Sequence, residues 1–291
     1  MTSWSAADVP DQTGRVALIT GANSGLGLHT SLAVARRGAR VLMACRDPRR
    51  GAEALTRVRA VGDAELIQLD LASLASVRAV AEGVTGPLDL LVDNAGVMAV
   101  PRRVTEDGFE LQLGTNHLGH FALTGLLLPR LLAAPAGRVV VVSSDAHRMG
   151  RMRFDDLMGE RSYGRWSAYG QSKLANLLFV RELVRRAPSL VVAAAHPGYA
   201  ATNLQSGQGN PLLVGLMQVG NRVIAQPDAH GAWPQLYAAT MPDVRTGEFF
   251  GPRWGIRGTP VRATPAKQAR DDGAARRLWA ESERLTGVTY P

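Results

Sequence analysis

Cysteine is almost missing from this chain. Among 291 residues only Cys45 carries a thiol, which excludes an intrachain disulfide and a thiolate metal site. Lysine is nearly as scarce: of 33 basic residues, all but Lys173 and Lys267 are arginine. Aromatic residues make up only 5%, and arginines such as Arg36, Arg37, Arg102 and Arg103 are not interleaved with them. The net charge of +8 therefore reads as a solvated surface, and no nucleic-acid partner is expected. Long apolar runs are absent too. The most apolar longer stretch, 118–134, is interrupted by His120 and Arg130 and is short of the ~20 residues that a bilayer span needs. The opening residues, "MTSWSAADVPDQTG", have neither a basic region nor an apolar run, so no secretory signal is read there. The expectation is a cytoplasmic protein with no membrane span.

What is present is core material: 46% of the residues are hydrophobic. Short apolar runs at 16–20, 40–44, 65–69, 88–92, 138–143 and 190–195 read as strands. Helical patterns near 25–37, 48–60, 73–84, 106–133 and 166–187 separate them. Strands this apolar on both faces suit a doubly wound, mostly parallel α/β sheet flanked by helices on both faces. A short strand is expected around 248–250 and a polar helix near 264–286. No repeat or interdomain linker is visible, so residues 1–291 read as one domain. The glycine-hinged segment 203–230 reads as a substrate lid.

"VALITGANSGLG" places Gly21, Gly25 and Gly27 between the first strand and the first helix. Glycine there permits the tight turn and lets backbone amides approach a pyrophosphate at the helix N-terminus. Asn23, Ser24 and Leu26 share that loop and are expected to contact the same ligand. The second strand ends "ACRDPRR". An acidic residue at this point would hold a ribose 2′-hydroxyl, whereas Arg46 suits a 2′-phosphate. The third strand ends at Asp70, followed by Leu71. Asp70 would either meet the adenine amino group or cap the next helix. Asn94, Ala95 and Gly96 lie at the end of the fourth strand, where open α/β sheets bind ligands.

The fifth strand ends at Ser143 and Ser144, and "AYGQSKLANLLF" then sets Tyr169 and Lys173 four residues apart on one helix face. At pH 7 a free phenol, with a pKa of about 10, is a poor base. A cation about 4 Å away contributes roughly 4 kcal/mol at an effective dielectric near 20, or about three pKa units. That pairing would bring the phenol toward neutrality, where it could act as a general acid–base. The strand alternation lets only one of the two serines face the site. No histidine spacing suggests a metal.

TGxxxGxG at 20–27, NAG at 94–96, Asn116 in "TNHLGHF", Ser144, YxxxK at 169–173 and "HPG" at 196–198 follow one another in this order. Together they resemble the short-chain dehydrogenase/reductase family, and "ACRD", "TNHLGHFALT" and "SKLANLLF" resemble its retinol-dehydrogenase-like branch. The resemblance implies a Rossmann-type fold, NADP(H) as cofactor, and a catalytic set of Asn116, Ser144, Tyr169 and Lys173. Tyr169 would exchange a proton with the substrate oxygen, which Ser144 would hold. Lys173 would also bond the nicotinamide ribose, and Asn116 would hold a water for proton relay. Pro197, Gly198 and Thr202 would line the nicotinamide. His147 is expected to be structural. Asp93 departs from the family, which commonly has asparagine there.

The expected activity is interconversion of a carbonyl and an alcohol; the alternative is a non-catalytic NADP-binding sensor or scaffold on the same fold. Met149, Met152, Tyr163 and Trp166 on one side, and Tyr199, Leu204, Leu212, Leu213 and Met217 on the other, suggest a bulky hydrophobic small-molecule substrate. A homo-oligomer is left open.

Overall fold

Each apolar run that reads as a strand has become one, and the helices between them cover the sheet they form. The structure, a computed structural model, describes residues 4–198 and 228–290. The strands are β1 (Val16–Thr20), β2 (Arg40–Cys45), β3 (Ala64–Gln68), β4 (Leu90–Asp93), β5 (Arg138–Val142), β6 (Val191–Ala195), β7 (Phe249–Pro252) and β8 (Pro260–Arg262). The helices are α1 (Gly25–Arg36), α2 (Pro48–Arg59), α3 (Leu74–Gly83), α4 (Leu111–Leu113), α5 (Gly119–Ala133), α6 (Arg165–Arg186), α7 (Asp228–Gly231), α8 (Trp233–Thr240) and α9 (Asp272–Thr286).

The sheet runs β3-β2-β1-β4-β5-β6-β7-β8. All pairs are parallel except β7 with β8. The order reverses between β1 and β4, and a crevice opens there at the carboxyl ends of the strands. This is the Rossmann-type arrangement.

Alternation along the strands divides the interior in two. On β5, Val139 and Val141 join a cluster with α3, α5, α6 and α9, while Val140 and Val142 join another with α1, α2 and α8. All four are buried, each worth ~1.5–3 kcal/mol relative to exposure. At the heart of the first cluster Trp279 of α9 packs edge-on against Phe121, ring centroids 5.1 Å apart. The Tyr290 hydroxyl beyond α9 donates to the Phe121 carbonyl at 2.6 Å.

Three local differences from the sequence reading have physical causes. The helix expected over 106–133 begins at Leu111 and passes through a π-helical turn, Gly114–Leu118, before α5. The helix expected near 264–286 begins at Asp272, because the Asp271 carboxylate caps it through the Ala274 amide. β8 has three residues, one a proline and two exposed, and so carried no strand pattern. None of the described helices is long and apolar enough to cross a membrane.

Candidate active site

The loop after β1 has room for glycine only. A Cβ on Gly27 would lie 2.4 Å from the Gly21 carbonyl oxygen, and Gly21 itself holds φ +67 with Ala95 Cα against it. The Ser24 side chain makes no cap bond to α1, so the first amides of that helix face outward unclaimed by it. Behind the loop the Asn94 side chain donates to the Thr20 carbonyl at 2.7 Å.

Gly21, Asn23, Ser24, Gly25, Leu26, Arg46, Asp70, Leu71, Asn94, Ala95 and Gly96 all line one cleft of about 400 Å³. Gly27 stands behind it. Arg50 and Thr115 also line the cleft, and the sequence reading missed both. Arg50 lies in the first turn of α2, four residues after Arg46, a proximity that could have flagged it. The Thr115 hydroxyl is buried without a partner. Asp70 accepts the Ala72 amide at 2.9 Å, whereas Ser73 caps α3, so the capping alternative for Asp70 falls away. Asp47, also in the lining, caps α2 through the Arg50 amide at 3.1 Å. That hydrogen bond, followed by the charges of Arg49 and Arg50, holds its carboxyl below the usual range.

At the other end, the alternation at the end of β5 separates the two serines. Ser143 donates to the Lys173 carbonyl at 2.8 Å, inside the packing of α6. Ser144 lies toward the Tyr169 phenol and acts to lower its pKa, while its hydroxyl oxygen accepts the Ala146 amide at 3.2 Å. His147 anchors this serine: Nδ1 donates to the Ser144 carbonyl at 2.7 Å, and Nε2 accepts the Ala266 amide at 3.1 Å. Its expected role is therefore the one its contacts show.

Tyr169 and Lys173 are 6% and 4% exposed. The Lys173 ammonium donates to the Val142 carbonyl at 3.1 Å and sits 5.9 Å from the Tyr169 ring centroid. Burial pushes its pKa down to about 8, and no carboxylate among the described residues pairs with it. The phenol differs from expectation: burial raises its pKa, with Ser144 opposing. The lysine lies against the ring and donates its hydrogen bond to a backbone carbonyl rather than to the phenol, so desolvation decides the direction.

Gly96 opens the way from cleft to lysine, since a Cβ there would lie 2.9 Å from Asn116 Oδ1 and 3.4 Å from Lys173 Nζ. The Asn116 side chain clamps Val97, accepting its amide at 2.8 Å and donating to its carbonyl at 2.9 Å. Pro197 and Gly198 follow β6 at the same edge. Gly198 holds φ +70, and a Cβ on it would strike the Ile256 carbonyl at 2.5 Å. Thr202, with Tyr199, Leu204, Leu212, Leu213 and Met217, lies outside the described residues.

Of the four residues expected beside the substrate, Met149 and Trp166 are exposed. Met149 is exposed at the end of the turn after Ser144, and Trp166 packs edge-on to Tyr169 with centroids 6.2 Å apart. Met152 packs, half-buried, against the core. The Tyr163 hydroxyl donates to the Val100 carbonyl at 2.9 Å and so belongs to the neighbouring loop. Among the described residues no group of three His, Cys, Asp or Glu side chains could hold a metal.

A glycine-rich loop and cleft beside a serine–tyrosine–lysine cluster match what comparison finds. The family model for short chain dehydrogenases matches residues 15–211. Human retinol dehydrogenase 14 is 41% identical, over 94% of this chain and 87% of its own. Mouse polyprenol dehydrogenase is 44% identical, over 96% and 86%. A crystal structure of an uncharacterised protein from Mycobacterium paratuberculosis superposes with a TM-score of 0.86 at 48% identity, covering both chains completely. This chain belongs to the short chain dehydrogenase family, in its retinol-dehydrogenase-like branch, and is an oxidoreductase acting on a CH–OH or C=O group.

Proposed function

We propose that the chain, acting as a single unit, is an NADP(H)-dependent enzyme that interconverts a bulky apolar carbonyl and its alcohol, with Tyr169 as general acid–base. The observation that carries this reading is the Ser144–Tyr169 hydroxyl pair beside an unpaired buried ammonium, open through Gly96 to the cleft. The cleft fits a dinucleotide: glycines hold the turn where a Cβ would clash, and the Thr115 hydroxyl stands there without a protein partner.

When bound, NADPH supplies the hydride. The amides at the start of α1 would take its pyrophosphate, Arg46 and Arg50 its 2′-phosphate, Lys173 its nicotinamide ribose, and Pro197, Gly198 and Thr202 the nicotinamide. Ser144 holds the substrate oxygen against the phenol, and Tyr169 gives or takes the proton there. The lysine charge favours the phenolate as that proton leaves. Asn116 holds the water that restores the proton from solvent through Lys173. A cytoplasmic location agrees with a lone cysteine buried so that its thiol is pushed up to about 11.

The arginine pair gives a direct test. Neither Arg46 nor Arg50 forms an ion pair within the described residues. A charge-assisted bond to a phosphate contributes about 1.5–3 kcal/mol, so Arg46→Ala should weaken NADPH binding roughly tenfold or more and leave NADH binding nearly unchanged. Fluorescence titration measures both constants. Equal affinity of the wild-type protein for the two cofactors would overturn the assignment.

The exposed Met149, which ends the turn after Ser144, and the exposed Trp166, edge-on to Tyr169, support an apolar substrate, as do the apolar alcohols, retinol and polyprenol, for which two relatives are named. Of the arginines in this region that would suit an anionic substrate, Arg153 and Arg161 are engaged with Asp156 and Asp155, whereas Arg151 forms no ion pair within the described residues. Steady-state rates with NADPH are expected to give the highest kcat/KM for decanal, a terpenoid ketone or a steroid ketone. A small keto acid at the top of that order would exclude the apolar pocket.

A further inference from the structure

Thr20, His120 and Asn116 make a buried chain between the two ends of the site; Thr20 and Asn116 are 0% exposed and His120 is 1%. The Thr20 hydroxyl oxygen receives the amides of Asn94 and Ala95, each at 2.9 Å. Both of its lone pairs are then occupied. Its single proton has two acceptors in range, the Val92 carbonyl at 3.3 Å and His120 Nε2 at 2.9 Å. Across the ring, Nδ1 lies 3.1 Å from the Asn116 carbonyl oxygen. That oxygen has no proton to offer, so Nδ1 carries one and donates it. Nε2 is left as a bare lone pair, and the Thr20 proton turns to it. The opposite tautomer would press a third N–H on Thr20 and a lone pair on a carbonyl. Burial agrees, keeping the ring neutral with a pKa of about 3.

The carbonyl at the far end is an unusual one. Asn116 sits in the middle of the π-helical turn, where the Gly119 amide bonds back to the Gly114 carbonyl. Such turns displace the regular ladder, and here an imidazole side chain supplies a hydrogen bond to the central carbonyl.

We infer that His120 is a positioning residue that couples the phosphate end of the site to the proton-transfer end. Through Nε2 it fixes the Thr20 hydroxyl that orders the Asn94–Ala95 amides beside Gly21. Through Nδ1 it fixes the direction of the Asn116 carbonyl, and with it the backbone of the residue proposed to hold the relay water. The second half rests on the proposed role of Asn116; the first half does not.

Two substitutions divide the ring, because an asparagine amide reaches about where Nδ1 sits and a glutamine amide about where Nε2 sits. His120→Asn keeps the donor to Asn116 and deprives Thr20 of its acceptor. Its NADPH dissociation constant should rise about tenfold, as for one lost buried hydrogen bond, with kcat shifting less than about threefold. His120→Gln keeps the acceptor for Thr20 and releases Asn116. Its kcat should fall about tenfold and its pH–rate profile should move, with the NADPH constant within about threefold of wild type. Thr20→Val should mimic His120→Asn and add little to it in the double variant.

If both variants lose affinity and kcat in the same proportion, following their loss of Tm, the ring is core packing and the inference is wrong. If the wild-type protein turns over no carbonyl or alcohol, the dehydrogenase reading fails separately. The titrations then decide alone: a split between the Asn and Gln variants supports the coupling to Thr20, and equal constants overturn it.

Discussion

Tyr169→Phe is expected to lower kcat by roughly 10²–10⁴-fold, the range that general acid–base catalysis supplies. The ring keeps its edge contact with Trp166 and its place in the packing of α6, so only the hydroxyl toward Ser144 is lost. NADPH affinity, measured by fluorescence titration, should stay close to wild type. Lys173→Ala should behave differently and damage both quantities, because its ammonium is assigned to the phenol and to the ribose. Burial alone places the Tyr169 pKa above its ordinary value, so the proton cannot move easily near pH 7 without the lysine charge. A Tyr169→Phe enzyme that keeps most of its rate would end the proton-transfer reading.

Asp93→Asn is expected to stabilise the protein at alkaline pH. The Asp93 carboxyl, 0% exposed, accepts the Thr124 hydroxyl at 2.9 Å, and its other oxygen has no partner. Burial raises its pKa from 3.8 to about 8. The folded state therefore holds a proton that the unfolded state releases between those values. Stability from this group is full below about pH 4 and is lost as pH rises toward 8, at about 1.4 kcal/mol per pH unit. The buried histidines oppose it only on the acid side: His117 and His120 are lowered to about 3, so their cost appears as pH falls below 6.5. Lys173, pushed down to about 8, has its cost relieved as pH rises past that value in both proteins, so the difference between wild type and variant is what reports Asp93. An asparagine has the same shape and no proton to lose, which accounts for the tolerance of an acid at this position. Tm measured from pH 5 to 9 should fall more steeply for the wild type than for the variant, with the largest gap at pH 8 and above. Parallel curves would show that the carboxyl is charged in the folded protein.

Residue pattern disclosed most of the sheet because its strands are apolar on both faces. Val16–Thr20 reads without error, and Arg40–Cys45 is one residue longer than its pattern. The same logic failed for the π-helical turn: apolar spacing reports which side of a helix is buried, not whether its ladder closes at four or five residues. The serine choice was half legible. Alternation said that only one serine could face the phenol, and the Ser143 bond to the Lys173 carbonyl identifies the other. Gln235 left no trace in the sequence, yet it donates to Thr30 at 2.6 Å and Asn94 at 3.2 Å and so braces the cleft from α8. A lone glutamine in an apolar helix has no periodic signature. The phenol pKa could not be read from spacing either, since i and i+4 fix a shared face but not the depth of burial.

Tyr290 bonds the Phe121 carbonyl across 169 residues of sequence, and both it and Val288 crowd Gly125, where a Cβ would lie 2.6 Å from the Tyr290 ring. The helix that carries Phe121 also carries His120, so the frame of the site is closed by residues far along the chain. Contacts this distant in sequence form late, because a long loop must close before they stabilise anything. During translation the glycine loop and the first strands leave the ribosome well before the segment that locks α5 in place. A nascent chain that has not yet released Val288 and Tyr290 would leave Phe121 and Phe179 without the Tyr290 ring packed against them. Once they dock, the core and the reacting groups set together.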